Sequence, residues 1–207
     1  MARTAGAPAD AATGAGATTR WSVPQARAIA AARALAEEGG YEAVQIRDVV
    51  ERTGLSSATI YRHFSSKDHL IAAAQLEWNR TLPAAGRRFA VGATAADRVA
   101  ALLHQTCLAF AEQPKLAKAL MLALGSPDPG VRECRTEADE LVMATMREAI
   151  DGELDDPEVV LVPLGLAWQG ALFSWAHGRL TIEEVDQRLQ HATRLLFAGA
   201  AALTLEG

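Results

Sequence analysis

The sequence predicts an all-α protein of nine helices, and three observations carry the prediction. Apolar residues recur at helical spacing along most of the chain. Helix-start signals, a Ser or Thr followed three positions on by an acidic or amide residue, stand in front of several of these stretches. No alternating β-branched run is bounded by hairpin turns.

The elements follow in order. Ser22 and Gln25 make a capping box with Pro24 early in a first helix, which ends at Gly39-Gly40. Ile46, Val49 and Val50 share one face of a second helix, which Gly54 stops. Leu55 plugs the corner, Ser56 caps a short third helix over residues 57–64, and Ile60 and Phe64 face inward four apart. Ser66 caps a fourth helix running to about Phe89, with Pro83 as its weak point. A fifth spans residues 94–112, and Pro114 starts a sixth that stops by Gly125. After a Pro/Gly loop over residues 126–130, a seventh reaches Ile150. Asp155-Asp156-Pro157 opens an eighth ending near Gly178, and the capping box Thr181 to Glu184 opens a ninth.

Composition bounds the function. Half of the 207 residues are apolar, enough for a sizeable core. Cys107 and Cys134 have no metal-ligand or redox spacing, which suits a reduced, cytoplasmic protein. No apolar run approaches the ~18 residues of a membrane span, so no membrane partner is expected. The Ala/Gly/Thr-rich residues 1–20 read as a disordered arm carrying Arg3 and Arg20. Enzyme chemistry has no foothold. The five histidines lack HExxH spacing, phosphate-binding glycine loops are missing, and the paired acids Glu183-Glu184 and Asp155-Asp156 belong to helix caps. No cofactor and no metal site are expected.

The informative stretch is residues 46–70, IRDVVERTGLSSATIYRHFSSKDHL. Two short helices meet at a tight turn, and the outer face of the second shows Ser57, Thr59, Tyr61, Arg62 and His63, all able to hydrogen-bond. That is what a DNA recognition helix needs. The net charge of −5 is unusual for a DNA binder, but residues 1–80 hold 9 Lys/Arg against 8 Asp/Glu while residues 81–207 hold 11 against 17. A weakly basic surface implies modest nonspecific affinity that falls quickly with salt.

At Arg47-Asp48-Val49, Gly54-Leu55-Ser56, residues 59–64 and residues 66–70 the chain resembles the TetR family of bacterial transcriptional repressors. The resemblance implies a TetR-like fold: a helix-turn-helix domain at residues 21–66 after the arm, then a ligand-binding and dimerisation domain at residues 67–207. Residues 40–45, residues 168–175, and Arg188-Leu189 with Arg194-Leu195-Leu196 are similar to actinobacterial repressors of steroid catabolism, departing from that branch at Ser57 and Ala58.

Side-chain chemistry and the resemblance together assign roles. Arg62 can bridge guanine O6 and N7 or clamp a phosphate. Tyr61 matches the family's phosphate-contacting tyrosine. Lys67, at the start of the fourth helix, pairs with phosphate, helped by the helix N-terminus. Thr59 and His63 reach phosphate or base edges, and Ser56, Ser57 and Ala58 lie at the leading end, where Ala58 offers a methyl to thymine. Arg47 reaches backbone or base.

A partner and a ligand are expected as well. Val185, Leu189, Ala192, Leu196, Gly199 and Leu203 recur at spacings of 4, 3, 4, 3 and 4, joined by Leu161, Leu164 and Trp175 on the eighth helix. This seam is expected to pair the last two helices with their copies in a homodimer, so that two recognition helices ~34 Å apart read a palindromic, double-stranded operator. Trp78, Phe89, Leu103, His104, Cys107, Phe110, Met121, Met143, Met146, Trp168, Leu172 and Phe173 are expected to line an apolar pocket, with Gln105 and His177 among its polar neighbours. A plainly filled core uses the same residues. The branch resemblance implies a steroid or a coenzyme A thioester as effector, with Arg87, Arg88, Arg98, Lys115 and Lys118 available to its phosphates. A repressor of a drug-efflux pump suits the same composition, and a dimeric adaptor that does not bind DNA is a third alternative.

Overall fold

The computed structural model describes residues 21–205, which form ten α-helices and one 3-10 turn with no strand among them. The helices are α1 (Val23–Gly39), α2 (Ile46–Thr53), α3 (Ser57–His63), α4 (Lys67–Asn79), α5 (Leu82–Phe89), α6 (Ala95–Glu112), α7 (Pro114–Ala123), α8 (Pro129–Ile150), α9 (Glu158–Ala176) and α10 (Ile182–Leu205), with the 3-10 turn at Tyr41–Ala43. The expected arm, with Arg3 and Arg20, lies outside the described residues.

Ten helices replace the nine expected because the fourth divides. α4 closes at Asn79, where Arg80 N–H reaches back to Leu76 and Trp78 and the Thr81 hydroxyl donates to the Trp78 carbonyl at 2.7 Å. Pro83 then sits in the first turn of α5, where its missing N–H costs nothing. The other helix starts sit on the signals that predict them. Ser56 Oγ accepts from Thr59 N–H, Ser66 Oγ from His69 N–H, and Thr94 Oγ1 from Asp97 N–H. Phe64 ends α3 as its C-cap rather than continuing it.

Two apolar cores result. The first joins α1 to α4 with α7 and the leading half of α8, around Phe64, Ile60, Leu70, Ile71 and Leu76. The second joins α6, α9 and α10 with the end of α8, around Val99, Leu103, Phe110, Leu161, Trp175 and Leu189. Trp78 and Met121 border both.

The seam read from the last helices is corrected here. Val185, Leu189, Leu161, Leu164 and Trp175 are buried within the chain's own second core, and Ala192 and Leu196 pack against it, so none of the seven forms an open seam for a partner. Of that seam, Gly199 and Leu203 are exposed. Further exposed apolar residues lie off the seam: Leu195 on α10 and Val159, Val162, Leu166 and Phe173 on α9, the last three also lining the cavity described below. The spacing identified an apolar stripe, and the chain covers it with α6. α9 also corrects the expectation about apolar length. Glu158–Ala176 is long and apolar enough to cross a membrane by length and composition alone. It is apolar all round because one side enters the core and the other lines a cavity or lies open.

Candidate functional site

The turn between α2 and α3 is fixed by short contacts. Gly54 takes a left-handed conformation, φ +66°, that an L side chain rarely adopts. Thr53 Oγ1 donates to the Val49 carbonyl at 2.6 Å, and the Arg27 guanidinium donates to the Thr53 carbonyl. Ile60 and Phe64 are buried, with the Phe64 ring against Trp21 at 6.2 Å and His69 at 5.3 Å between centroids. With that face anchored, Ser57, Ala58, Tyr61 and Arg62 are exposed on the other. Tyr61 is 54% exposed, an open position for a large aromatic. Arg47 is exposed nearby, 3.3 Å from its neighbour Asp48. Thr59 and His63 are half-buried at the edges of the face.

Three of the expected contact residues, Ser56, Thr59 and Lys67, are engaged within the protein. Ser56 Oγ is occupied by its cap and lies 2.9 Å from Thr59 Oγ1. Lys67 folds back, its Nζ 3.8 Å from the centre of the Tyr41 ring and donating to the Tyr41 carbonyl at 3.3 Å. The Tyr41 hydroxyl donates to Asp68 at 2.5 Å, and burial, then Asp68, raises its pKa. The start of α4 is thereby tied to the 3-10 turn.

A second tie joins this start to α8. Ser65 Oγ lies 2.8 Å and 2.7 Å from the two carboxylate oxygens of Asp128, the N-cap of α8. Ser65 N–H donates to His69 Nδ1 at 3.2 Å, which requires a neutral ring. Burial holds the His69 pKa below its usual value, against the pull of Asp128 and Glu133. Burial pushes the Asp128 carboxyl up, but hydrogen bonds from Ser66, Ser65 and the Gly130 N–H outweigh it and hold the carboxyl low. Gly130 rests on the His69 ring so closely that a Cβ there would lie 2.3 Å from Nδ1.

From this junction α4 runs 13 residues to Asn79, ~18 Å at helical rise, and its far end enters a cavity of about 1040 Å³. Trp78, Phe89, Phe110, Met121, Met143, Met146, Trp168, Leu172 and Phe173 line it, as the sequence suggests. Phe110 centres an aromatic wall, 5.2 Å from Trp78, 6.5 Å from Trp168 and 5.7 Å from Trp175. Leu103, His104 and Cys107 do not line it. α6 turns Leu102, Gln105, Thr106 and Ala109 toward the cavity, which leaves Leu103 and Cys107 buried elsewhere in the core. His104 Nδ1 meets Asp186 on α10 at 2.8 Å, and burial, then Asp186, pushes the Cys107 thiol up to about 12. His177 caps its own helix, 2.9 Å from the Phe173 carbonyl.

Sequence reasoning missed the cavity's other polar groups. Gln75 and Asn79, one turn apart on α4, line it, with Arg135, Asp139, Thr145 and Gln169. A glutamine inside the apolar run of α4 was a usable signal. Arg135 donates to Gln169 at 3.0 Å and lies 3.7 Å from Asp139, whose carboxyl burial pushes up against the pull of Arg135. Two of the basic residues considered for phosphates have structural partners: Arg98 donates to Ala149 O and Glu153, and Lys115 to Glu38 O.

Two family models match the chain. Residues 28–74 match the family model for bacterial regulatory proteins of the tetR family, and residues 92–196 match the model for the tetracyclin repressor-like C-terminal domain. An uncharacterized HTH-type transcriptional regulator of Mycobacterium tuberculosis is 34% identical over 84% of this chain and 80% of its own length. The HTH-type transcriptional repressor KstR of the same organism is 30% identical over 82% and 79%. Among solved structures, a TetR transcriptional regulator from Rhodococcus superposes with TM-score 0.72 at 24% identity, covering 83% of this chain and 93% of that one. Thermus thermophilus FadR, solved with lauroyl-CoA, superposes with TM-score 0.66 at 18% identity over 84% and 93%.

Proposed function

The chain belongs to the TetR family of transcriptional regulators, and on that premise we propose that it is a dimeric repressor released from a palindromic operator by a hydrophobic effector. The observation that carries this reading is α4. One end starts beside the recognition helix α3, and the other presents Gln75, Trp78 and Asn79 to the cavity.

The reading surface is α3, with Arg62 and Tyr61 as its main contacts and Ser57, Ala58, Thr59 and His63 around them. Arg47 and Lys67 flank it. Lys67 leaves the Tyr41 ring to meet phosphate, exchanging one contact for a charged one. The effector occupies the cavity, whose volume stands at the upper end of ligand pockets. Aromatic and methionine side chains suit a steroid or acyl body, and relatives named KstR and the acyl-CoA complex of FadR support a lipid-like effector. The effector releases DNA only if it binds the DNA-incompetent spacing of the two heads better. The junction of Ser65 with Asp128 lets α8, which also lines the cavity, act on the same end of α4. Dimerisation uses the exposed apolar residues of α9 and α10 around Leu166 and Leu195, replacing the buried seam.

Selection from random duplexes with the purified full-length protein tests the reading. The expected product is a palindrome with half-sites about one turn apart, bound by a species of twice the chain mass in sedimentation. Leu195→Glu is expected to give monomers that no longer retain the palindrome. Enrichment of no duplex, or binding by a monomer, overturns it.

A further inference from the structure

We propose that the cavity selects ligands that present a hydroxyl, held between Gln75 and Asn79 on α4. The proposal rests on the reading of the cavity as the effector site and names the chemistry that site requires.

Gln75 and Asn79 are 5% and 6% exposed and both line the cavity. Two primary amides carry two acceptor oxygens and two donor NH₂ groups. A single bond joins them: Gln75 Nε2 donates to Asn79 Oδ1 at 2.9 Å. Gln75 Oε1 is then, among the described residues, the buried side-chain polar atom that finds no hydrogen-bond partner. A buried acceptor left unmet is costly, and Gln75 stands in the cavity wall, so a turn of its amide toward the void gives that acceptor a donor from outside the chain.

The orientation of the amides does not change this requirement. If both are turned over, Asn79 Nδ2 donates to Gln75 Oε1, and the remainder is a Gln75 donor with an Asn79 acceptor. Either way the pair keeps one donor and one acceptor for the cavity's occupant. One hydroxyl meets both from a single oxygen, accepting from one amide and donating to the other. A ketone, an ester or an ionised carboxylate only accepts, and a hydrocarbon end meets neither. The rest of the wall, Phe110, Met143 and Met146 among it, takes an apolar body. The ligand class is therefore an amphipathic alcohol, and its polar contact falls on the helix that leads to the reading head.

Quenching of tryptophan fluorescence on the full-length protein tests this, since Trp78 and Trp168 line the cavity. Two skeletons are titrated, each as alcohol, ketone and hydrocarbon: cholesterol, cholestenone and cholestane, and hexadecanol, hexadecanone and hexadecane. The alcohol of whichever skeleton binds is expected to bind about tenfold or more tighter than its ketone. Replacing both amides, Gln75→Leu with Asn79→Leu, is expected to erase that ratio while leaving the unfolding temperature equal or higher, because removing both partners leaves no orphan. Alcohol and ketone binding equally would overturn the hydroxyl proposal and leave the cavity reading standing. Binding of no probe by the wild type would overturn both. Should the double variant not fold, the wild-type ratio decides alone.

Discussion

The two cores of this molecule are built to opposite ends. Around α1 to α3 the interior is closed: Phe64, Ile60, Val44 and Val49 are fully buried, and the chemistry faces out through Arg62 and Tyr61. Around α6 and α9 the interior is left open as a cavity, and the polar groups that matter point inward. A reading head needs a rigid base, because a recognition helix of seven residues has too few contacts of its own to hold its orientation. A sensor needs an unfilled interior, because an occupant must gain contacts the empty state lacks. α4 belongs to both regions, and this shared helix is why the difference has a functional consequence.

The largest expected effect separates the two regions by stability. Phe64→Ala removes a ring packed on all sides and is expected to cost about 3–5 kcal/mol. Phe110→Ala removes a ring equally shielded from solvent but bordering the cavity, so it gives up fewer contacts and should cost clearly less. Thermal unfolding of the two variants compares them, and equal losses would break the contrast between a closed and an open core.

Next comes the outward face. Arg62→Ala is expected to weaken operator binding by about 1–3 kcal/mol, roughly ten- to a hundredfold, with unfolding unchanged within about 0.5 kcal/mol. Anisotropy titration with a labelled operator reads the first quantity and calorimetry the second. Loss of fold would place Arg62 in the base rather than on the surface.

The link between regions is smaller. Asp128→Ala removes the carboxylate that holds Ser65 and is expected to cost about 0.5–1.5 kcal/mol of stability. Its sharper readout is a diminished response of operator affinity to the effector, at unchanged effector binding. An unchanged response would confine coupling to α4 itself.

The smallest effect is titration of His69 in that same junction. Its folded pKa lies below the usual 6.5 because of burial, so the unfolded chain takes up the proton first. Stability is therefore full above about pH 6.5 and declines as pH falls below it. His69→Asn is expected to remove that step from a plot of unfolding temperature against pH. Wild type and variant declining in parallel would assign the slope to other groups.

Most of the architecture was legible because caps and glycines are local signals. Ser56, Ser66, Thr94 and Thr181 each mark a helix start that the hydrogen bonds bear out. The reading face was legible for the same reason, since α3 is short and its two inward residues define the outer side. The apolar stripe of α10 was visible but its partner was not. Periodicity shows that a face must be covered, and Val185 and Leu189 do not say whether α6 or a second copy covers it. Leu103 and Cys107 failed as cavity residues through helix register, since a small rotation of α6 exchanges which residues meet the void. The Ser65–Asp128 bond spans 63 residues in sequence, and no local pattern signals it.

The central claim is that filling the cavity moves the reading heads, and a cavity-filling variant tests it most directly. Gly165 lines the cavity, and a Cβ there would meet nothing within 4 Å. Operator affinity is measured for the wild type and for Gly165→Phe, with and without the best-binding alcohol probe. The account predicts that the probe weakens wild-type affinity by roughly 5- to 150-fold and has a much smaller effect on the Gly165→Phe protein, whose added ring stands in the probe's way. An equal response in both proteins, or a wild type that binds the probe and holds its operator unchanged, would contradict it.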